Sequence, residues 1–165
     1  MPNNYHQYIE DVSDDIKTCL EGMGCQPILF VGSGLTKRYL SGPNWEELLQ
    51  QLANECPNID KRFAYYKQKY PELIDIGSVF SDSYNEWAWG DGEKEFPAEL
   101  FDAGNEPSIY FKYKVSSIFN SLLQEKEIVN NGEIELLRKI HPHSIITTNY
   151  DKLLESIYPE FTPII

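Results

Sequence analysis

The segment Pro27-Ile28-Leu29-Phe30-Val31-Gly32-Ser33-Gly34 decides the fold class of this chain. Its first five residues form a short, unbroken apolar run, and glycines lie on both sides of that run. Such a run is typical of a strand that is buried on both faces of a mainly parallel sheet. The segment therefore predicts an α/β protein in which a Gly-x-Gly turn follows the first strand.

Helical patterns lie on both sides of this segment. Apolar residues at spacings of three and four predict an amphipathic helix from Tyr5 to Glu21, which ends at Gly22 or Gly24. A second helix is expected to start near Asn44, an N-cap candidate preceded by Pro43. Short helices are expected between residues 59 and 113, and clearer ones at 108–126, 132–140 and 152–157.

Two further strands complete the predicted sheet. The first covers His143 to Thr148, and Phe161 to Ile165 is interpreted as the beginning of the other. This order predicts a Rossmann-like, mainly parallel sheet covered by helices on both sides. Because three strands are fewer than the usual four to six, we expect residues 1–165 to be the N-terminal portion of a larger domain.

The amino-acid composition argues against two classes of binding partner. The 165 residues carry 14 Lys and Arg against 26 Asp and Glu, which gives a formal net charge of −12. Binding to nucleic acid or to anionic membrane surfaces depends on cationic groups, so this charge argues against both partners. Hydrophobic residues at 41% and aromatic residues at 13% are typical of a folding globular chain.

Cysteine usage and the N-terminal sequence indicate the cellular compartment. The chain has no leader pattern and no apolar run near the ~20 residues that a membrane helix needs, so a cytoplasmic location is expected. The three cysteines include no Cys-x-x-Cys pair, which argues against a disulfide framework and against a zinc site.

Two polar segments follow predicted strands, where ligands bind in open α/β sheets. Gly32-Ser33-Gly34 allows close backbone approach to a diphosphate, but the same residues also suit an ordinary tight turn. The third glycine of the dinucleotide fingerprint is missing, because Lys37 stands at its position. The segment alone therefore leaves the two readings open.

The second polar segment is Thr147-Thr148-Asn149-Tyr150-Asp151. Its amide and carboxylate groups suit a ribose diol, a carboxamide or a bound water. Alternatively, Asn149 or Asp151 is the N-cap of the helix that follows. The two segments together are more specific than either one, because strand-end loops converge on one site.

Together these segments resemble the first half of a sirtuin-like domain. The resemblance rests on Phe30 to Arg38, on Pro43-Asn44-Trp45-Glu46-Glu47-Leu48-Leu49, and on Ile145 to Asp151. Among sirtuin-like domains, the chain is most similar to those of the bacterial antiphage-defence proteins that hydrolyse NAD. The resemblance thus implies an NAD-binding domain that cleaves NAD+ to nicotinamide and ADP-ribose.

The resemblance also implies roles for individual residues. Asn149 is the implied catalytic residue, beside the nicotinamide ribose and orienting the attacking water, and Asp151 holds the carboxamide. NAD is the implied substrate, and no metal is expected. The remaining implied NAD-binding residues are Gly32, Ser33, Gly34 and Arg38 at the phosphates, Pro43 and Trp45 over the ribose and nicotinamide, and Thr147 and Thr148 on the adenosine side.

Two departures from the family pattern keep other functions open. The four-cysteine zinc module of the lysine deacylases is missing, which disfavours deacylation. The family's catalytic histidine follows the Asn-Tyr-Asp strand, whereas His141 and His143 precede it. An inactive sensor of NAD or ADP-ribose and an assembly module are therefore the alternatives, with a homo-oligomer or a defence-system protein as the partner.

Overall fold

Two parallel strands, β1 (Ile28–Val31) and β2 (Ser144–Thr147), form the sheet of the molecule. In the computed structural model, which describes residues 3–22, 24–125 and 132–164, Leu29 lies opposite Ile145 in the parallel register. Both strands form where the sequence predicts them, and the α/β class is confirmed. In the described residues the sheet has two strands and the rest of the regular structure is helical.

Helices supply most of the regular structure. The first, α1, continues into a π-helical turn at Thr18–Gly22, and two short 3-10 helices cover Glu93–Glu95 and Ala98–Phe101. The α-helices in the described residues are α1 (Asn3–Lys17), α2 (Ser33–Leu40), α3 (Trp45–Glu55), α4 (Phe63–Lys69), α5 (Leu73–Ala88), α6 (Ile109–Glu125), α7 (Gly132–Arg138) and α8 (Leu153–Ile157).

Most helix predictions are confirmed, but α2 was not predicted. The predicted helices at both ends of the chain and the helix after Asn44 are present, and Lys126 at the expected end of α6 lies outside the described residues. The Gly-x-Gly segment was interpreted as a turn, yet Ser33 and Gly34 are the first two residues of α2. Between residues 59 and 113, α5 has 16 residues and is longer than the short helices expected there.

The chain divides into two units, which we describe separately. The sheet unit comprises residues 1–32, 130–148 and 155–165, and the helical unit comprises residues 33–129 and 149–154. Two of the boundaries fall between Gly32 and Ser33 and between Thr148 and Asn149, so each predicted NAD-binding segment contributes residues to both units. The single sirtuin-like domain over 1–165 stays a prediction.

The helical unit is built around α3, α5 and α6. Buried Leu49 and Leu52 of α3 belong to the same apolar cluster as Phe80 and Tyr84 of α5. The Tyr84 hydroxyl donates a hydrogen bond of 2.9 Å to the Leu52 carbonyl oxygen. Burial raises the pKa of the Tyr84 phenol, so this group stays a neutral donor at physiological pH.

The sheet unit exposes apolar side chains of β1. Ile28 is 59% and Phe30 is 74% exposed, whereas Leu29 and Val31 are half-buried. The expectation of a strand buried on both faces is therefore wrong in the described residues, because the alternating side chains of β1 leave one side of the strand open. An apolar run reports the character of the side chains and not which neighbours cover them.

The predicted third strand is wrong over the described part of the C-terminal segment. Residues 161–164 are irregular, and Ile165 lies outside the described residues. Pro163 has no backbone N–H to donate to a neighbouring strand, which weakens strand pairing at this position. In the part of the chain that is described, no helix combines the length and apolar character needed to cross a membrane.

Candidate functional site

Packing does not explain two glycines after β1, Gly32 in the connection and Gly34 in the first turn of α2. A Cβ atom added to Gly32 or to Gly34 would meet no atom within 4 Å, and neither residue has the positive φ that favours glycine. The local fold would thus accept alanine at both positions. Close backbone approach to a ligand is another reason for glycine, and the predicted diphosphate contact would supply it.

Thr36 joins the two predicted segments within the helical unit. Its side chain is 1% exposed, and its hydroxyl oxygen lies within hydrogen-bond distance of Asp151 Oδ2. The amide nitrogen Nδ2 of Asn149 lies 3.0 Å from the same Thr36 oxygen. Segments 113 and 115 residues apart in the chain therefore meet at one buried hydroxyl group.

Hydrogen-bond chemistry fixes the direction of each contact in this cluster. A carboxylate only accepts, so the single proton of the Thr36 hydroxyl goes to Asp151. The Thr36 oxygen must then accept from Asn149, and the Asn149 amide presents its NH₂ group to Thr36. The amide oxygen Oδ1 of Asn149 consequently points away from Thr36, and it is buried.

Asp151 also organises the start of α8. Its Oδ1 atom accepts a 2.9 Å hydrogen bond from the backbone N–H of Leu153, the first residue of that helix. A carboxylate at this position satisfies one of the helix's unpaired N–H groups. Both oxygens of Asp151 thus have partners within the protein, one in α2 and one in α8. The capping alternative from the sequence describes one of these two contacts.

Tyr150, which lies between Asn149 and Asp151 in the sequence, forms an aromatic pair with Trp45 of α3. The rings of Trp45 and Tyr150 meet edge to face, with their centroids 5.6 Å apart. Tyr150 also contacts Phe119 of α6 at 5.7 Å. Trp45 is 46% and Tyr150 is 55% exposed, so part of each residue is open to solvent. Exposed aromatic side chains can contact a planar base or a nicotinamide ring.

A capping box fixes the start of α3 and with it Trp45. The backbone N–H of Glu47 donates to Asn44 Oδ1 at 2.9 Å, and the Glu47 carboxylate accepts from the Asn44 N–H at 2.8 Å. The N-cap prediction for Asn44 is confirmed. The Lys37 ammonium also donates to the Glu47 carboxylate. This hydrogen bond and the one from the Asn44 backbone N–H lower the pKa of the Glu47 carboxyl group.

Gly42 packs directly against Thr36. A Cβ atom at this position would lie 2.6 Å from Thr36 Cγ2 and 3.0 Å from Leu122 Cδ1. The preceding residue, Ser41, has the left-handed φ of 52° that ends α2. Only glycine leaves room for the Thr36 side chain here, so Gly42 fixes where the shared hydroxyl lies.

The remaining predicted residues lie at the ends of the strands and helices. In the sheet unit, Thr147 donates a 3.0 Å hydrogen bond to the Val31 carbonyl oxygen, and Thr148 is exposed after β2. In the helical unit, Arg38 lies exposed in the last turn of α2, with its guanidinium 5.9 Å from the Tyr39 ring centroid. Pro43 is half-buried in the loop before α3.

Sequence reasoning assigned no role to Thr36, Gly42 or Tyr150. Thr36 and Leu40 are four residues apart on α2, and both are buried. A polar residue on the buried face of a helix needs a hydrogen-bond partner, which is the pattern that points to Thr36. The sequence prediction places no helix at residues 33–40, so this pattern does not appear in it.

Comparisons with models of known protein families, with curated proteins and with solved structures gave no match. Among the described residues, no group of three or more His, Cys, Asp and Glu side chains is arranged to hold a metal ion. Cys56 is buried, which raises the pKa of its thiol group, and Cys19 and Cys25 are exposed.

Proposed function

We propose that the chain is the NAD-binding part of a sirtuin-like NAD+ hydrolase of antiphage defence, acting in the cytoplasm. A Rossmann-like arrangement of the parallel sheet belongs to the same proposal. The observation that carries it is the hydrogen-bonded cluster of Thr36, Asn149 and Asp151. Two segments that resemble NAD-binding motifs contribute to this one cluster, which supports a shared ligand.

The proposed reaction breaks the bond between C1′ of the ribose and N1 of nicotinamide. The electron pair of that bond goes to the nicotinamide ring and neutralises its positive charge, while an oxocarbenium-like centre forms at C1′. Water adds to C1′ and releases a proton, which yields ADP-ribose. Fixed dipoles in a dry pocket stabilise such a centre better than bulk water does.

Asn149 has the best-defined part in this proposal. Its NH₂ group donates to Thr36, and its amide oxygen, an acceptor with two lone pairs, would accept a hydrogen bond from a ribose hydroxyl or from the attacking water. Because that oxygen is buried, the residues that cover it must move before the nucleotide binds. Asp151 acts mainly by holding Thr36 and α8, and its carboxamide contact is an additional proposed role.

Release of nicotinamide from NAD+ is the test. The wild-type chain, alone and with a candidate activating partner or phage trigger, should release nicotinamide, and Asn149→Ala should abolish the release without unfolding the protein. A wild-type protein that releases none under these conditions contradicts the hydrolase proposal. Equal losses of activity and melting temperature in Asn149→Ala would instead indicate a structural role for the residue.

A sensor that binds NAD or ADP-ribose without cleaving it is the second candidate. The resemblance implies a catalytic histidine after the Asn-Tyr-Asp segment, whereas the three histidines of the sequence, His6, His141 and His143, all precede Asn149. Calorimetry separates the two functions, because a sensor binds intact NAD+ and gives no product.

A lysine deacylase is a weaker candidate, since the chain has no zinc-binding cysteine module.

A further inference from the structure

The sheet unit carries two uncovered apolar surfaces. The first, which we call the α1 stripe, consists of five side chains with exposures between 39% and 67%: Tyr5, Tyr8, Ile9, Ile16 and Leu20. The second, the open sheet face, consists of Ile28, Phe30 and Ile146, with exposures between 50% and 74%. Large contiguous apolar patches on a soluble protein usually mark an interaction site.

The open sheet face is one continuous surface. Ile28 and Phe30 are two residues apart in β1, so their side chains point to the same side of the strand. Ile146 of β2 lies directly opposite Phe30 in the parallel register and shares that side. In α/β proteins such a face is covered by an amphipathic helix.

The α1 stripe has the form of such a covering helix. Together with the half-buried Val12, its apolar residues recur at spacings of three and four along one side of α1 and its π-helical turn. Glu10, Asp11 and Asp14 lie on the opposite side of the helix. Burying the stripe would therefore leave these carboxylates in solvent.

We propose that two copies of this chain form a symmetric dimer in which the α1 stripe of each copy covers the open sheet face of the other. The two surfaces are complementary in kind, a helix and a sheet face, and reciprocal pairing uses both of them in both copies. This is a closed two-fold arrangement, in which neither of the two surfaces is left over in either copy to propagate a chain of contacts.

The available area suits a stable dimer. Eight side chains would be buried in each copy, and only their exposed fractions, between 39% and 74%, are available for that burial. About two thirds of the ~150–250 Å² that an aromatic residue can bury, or roughly 100–170 Å², is available from each of the three aromatic residues. With the five aliphatic side chains, complete coverage approaches the ~800 Å² per partner of a standard protein interface. The opposing effect is the net charge of −12 on each copy, which repels a second copy. The dimer should consequently become tighter as salt screens that repulsion.

Sedimentation equilibrium on the full chain tests the dimer. We expect a monomer–dimer equilibrium that shifts toward dimer when salt is raised. A stripe variant, Ile9→Asp with Ile16→Asp, and a sheet variant, Phe30→Lys, should each weaken the dimer at least tenfold. Glu10→Gln on the opposite side of α1 is the control and should not weaken it. A wild type that stays monomeric at concentrations on the order of 100 µM overturns the proposal, since interfaces of this size reach micromolar affinity or better.

Mixing the two variants distinguishes this arrangement from a pairing of two α1 helices. Each variant alone has both reciprocal contacts damaged, but a mixed dimer keeps one intact contact, between the wild-type stripe of one copy and the wild-type sheet face of the other. The mixture should therefore associate more tightly than either variant, and equal or weaker association overturns the proposal.

Hydroxyl-radical footprinting of the wild type tests the same arrangement without a variant. The α1 stripe and the open sheet face should become protected together as the protein concentration rises. Protection of only one of them contradicts the reciprocal pairing.

Discussion

At the scale of single residues, Thr36 determines how the candidate site is organised. Its hydroxyl proton goes to Asp151 and its oxygen accepts from Asn149, so one side chain sets the orientation of the other two. Thr36 acts through these neighbours and is a positioning residue. Removing the hydroxyl group should free the Asn149 amide to rotate.

Thr36→Val tests this positioning role, because valine keeps the shape of threonine and lacks the hydroxyl group. We expect NAD+ binding to weaken at least tenfold and the free energy of unfolding to fall by about 2 kcal/mol, since two polar groups lose a partly buried partner. Thr36→Ser is the matched control and should keep affinity within about threefold, the hydroxyl being retained. Equal losses in both variants would show that the methyl group and not the hydroxyl matters. Titration calorimetry and thermal unfolding provide both measurements.

Glu47 gives a pH-dependent prediction. Hydrogen bonds from Lys37 and from the Asn44 backbone lower the pKa of its carboxyl group in the folded state. A lowered pKa contributes stability above the unfolded value of about 4.3, and this contribution is lost as pH falls through the folded value. Wild type should thus have a higher melting temperature than Glu47→Gln at pH 7. The difference should vanish in acid, once the pH lies below the folded-state pKa of Glu47.

Lys37→Met supplies the control for this experiment, since it removes the first cause of the shift. In the Lys37→Met background the pH-dependent part of the Glu47→Gln difference should shrink. A difference in melting temperature that stays constant from pH 7 into acid would contradict the proposed ionic contribution of Glu47.

At the scale of elements, the end of α2 places Thr36 through Gly42. Gly42→Ala would bring a methyl group to 2.6 Å from Thr36 Cγ2, and the side chain must shift to relieve the contact. We expect a loss of stability of ~1–3 kcal/mol, as is usual for overpacking, together with weaker NAD+ binding.

Gly92→Ala is a matched variant for that experiment. An added Cβ atom there would lie 2.5 Å from Trp87 Nε1, within the α5 region of the core and without a contact to Thr36. It should destabilise the protein by a comparable amount while NAD+ affinity stays near that of wild type, measured at a temperature where both variants are folded. If both variants lose affinity to the same degree, the Gly42 effect reports stability and not placement of Thr36.

The sequence predicts an element well when local interactions along the chain determine it, and poorly when contacts with distant elements do. Helices α1, α3 and α6 follow from local apolar periodicity, and Asn44 follows from the chemistry of helix capping. Helix α2 was missed because it begins with Ser33 and Gly34, which read locally as a turn. The exposure of Phe30 was equally unpredictable, because it depends on which elements cover the strand.

The same distinction applies to the candidate site. Asn149 and Asp151 stand out in the sequence through their residue types and their place after a strand. Thr36 becomes recognisable only when residues 113 to 115 positions away are brought to its hydroxyl group. Tyr150 likewise acquires significance through its contact with Trp45 of α3.

At the scale of the whole molecule, stability and ligand binding should be separable. Tyr84 lies in the core of the helical unit, and its hydroxyl donates to the Leu52 carbonyl oxygen. That carbonyl also accepts from the Cys56 N–H, so Tyr84→Phe leaves it with one partner and should cost about 1 kcal/mol of unfolding free energy. NAD+ affinity should not change. A large loss of affinity in Tyr84→Phe would mean that the site responds to any loss of core stability.

A calorimetric titration of NAD+ into the full chain and into Asn149→Ala measures most directly whether the two segments form one nucleotide site. We predict saturable binding with one NAD+ per wild-type chain, measured without an activating partner and over a time in which no nicotinamide is released, and an affinity at least tenfold lower in Asn149→Ala at a nearly unchanged melting temperature. The loss corresponds to one hydrogen bond to a polar ligand group that is no longer satisfied. Absence of NAD+ binding to the folded wild-type protein, or equal binding by the two proteins, would contradict this assignment.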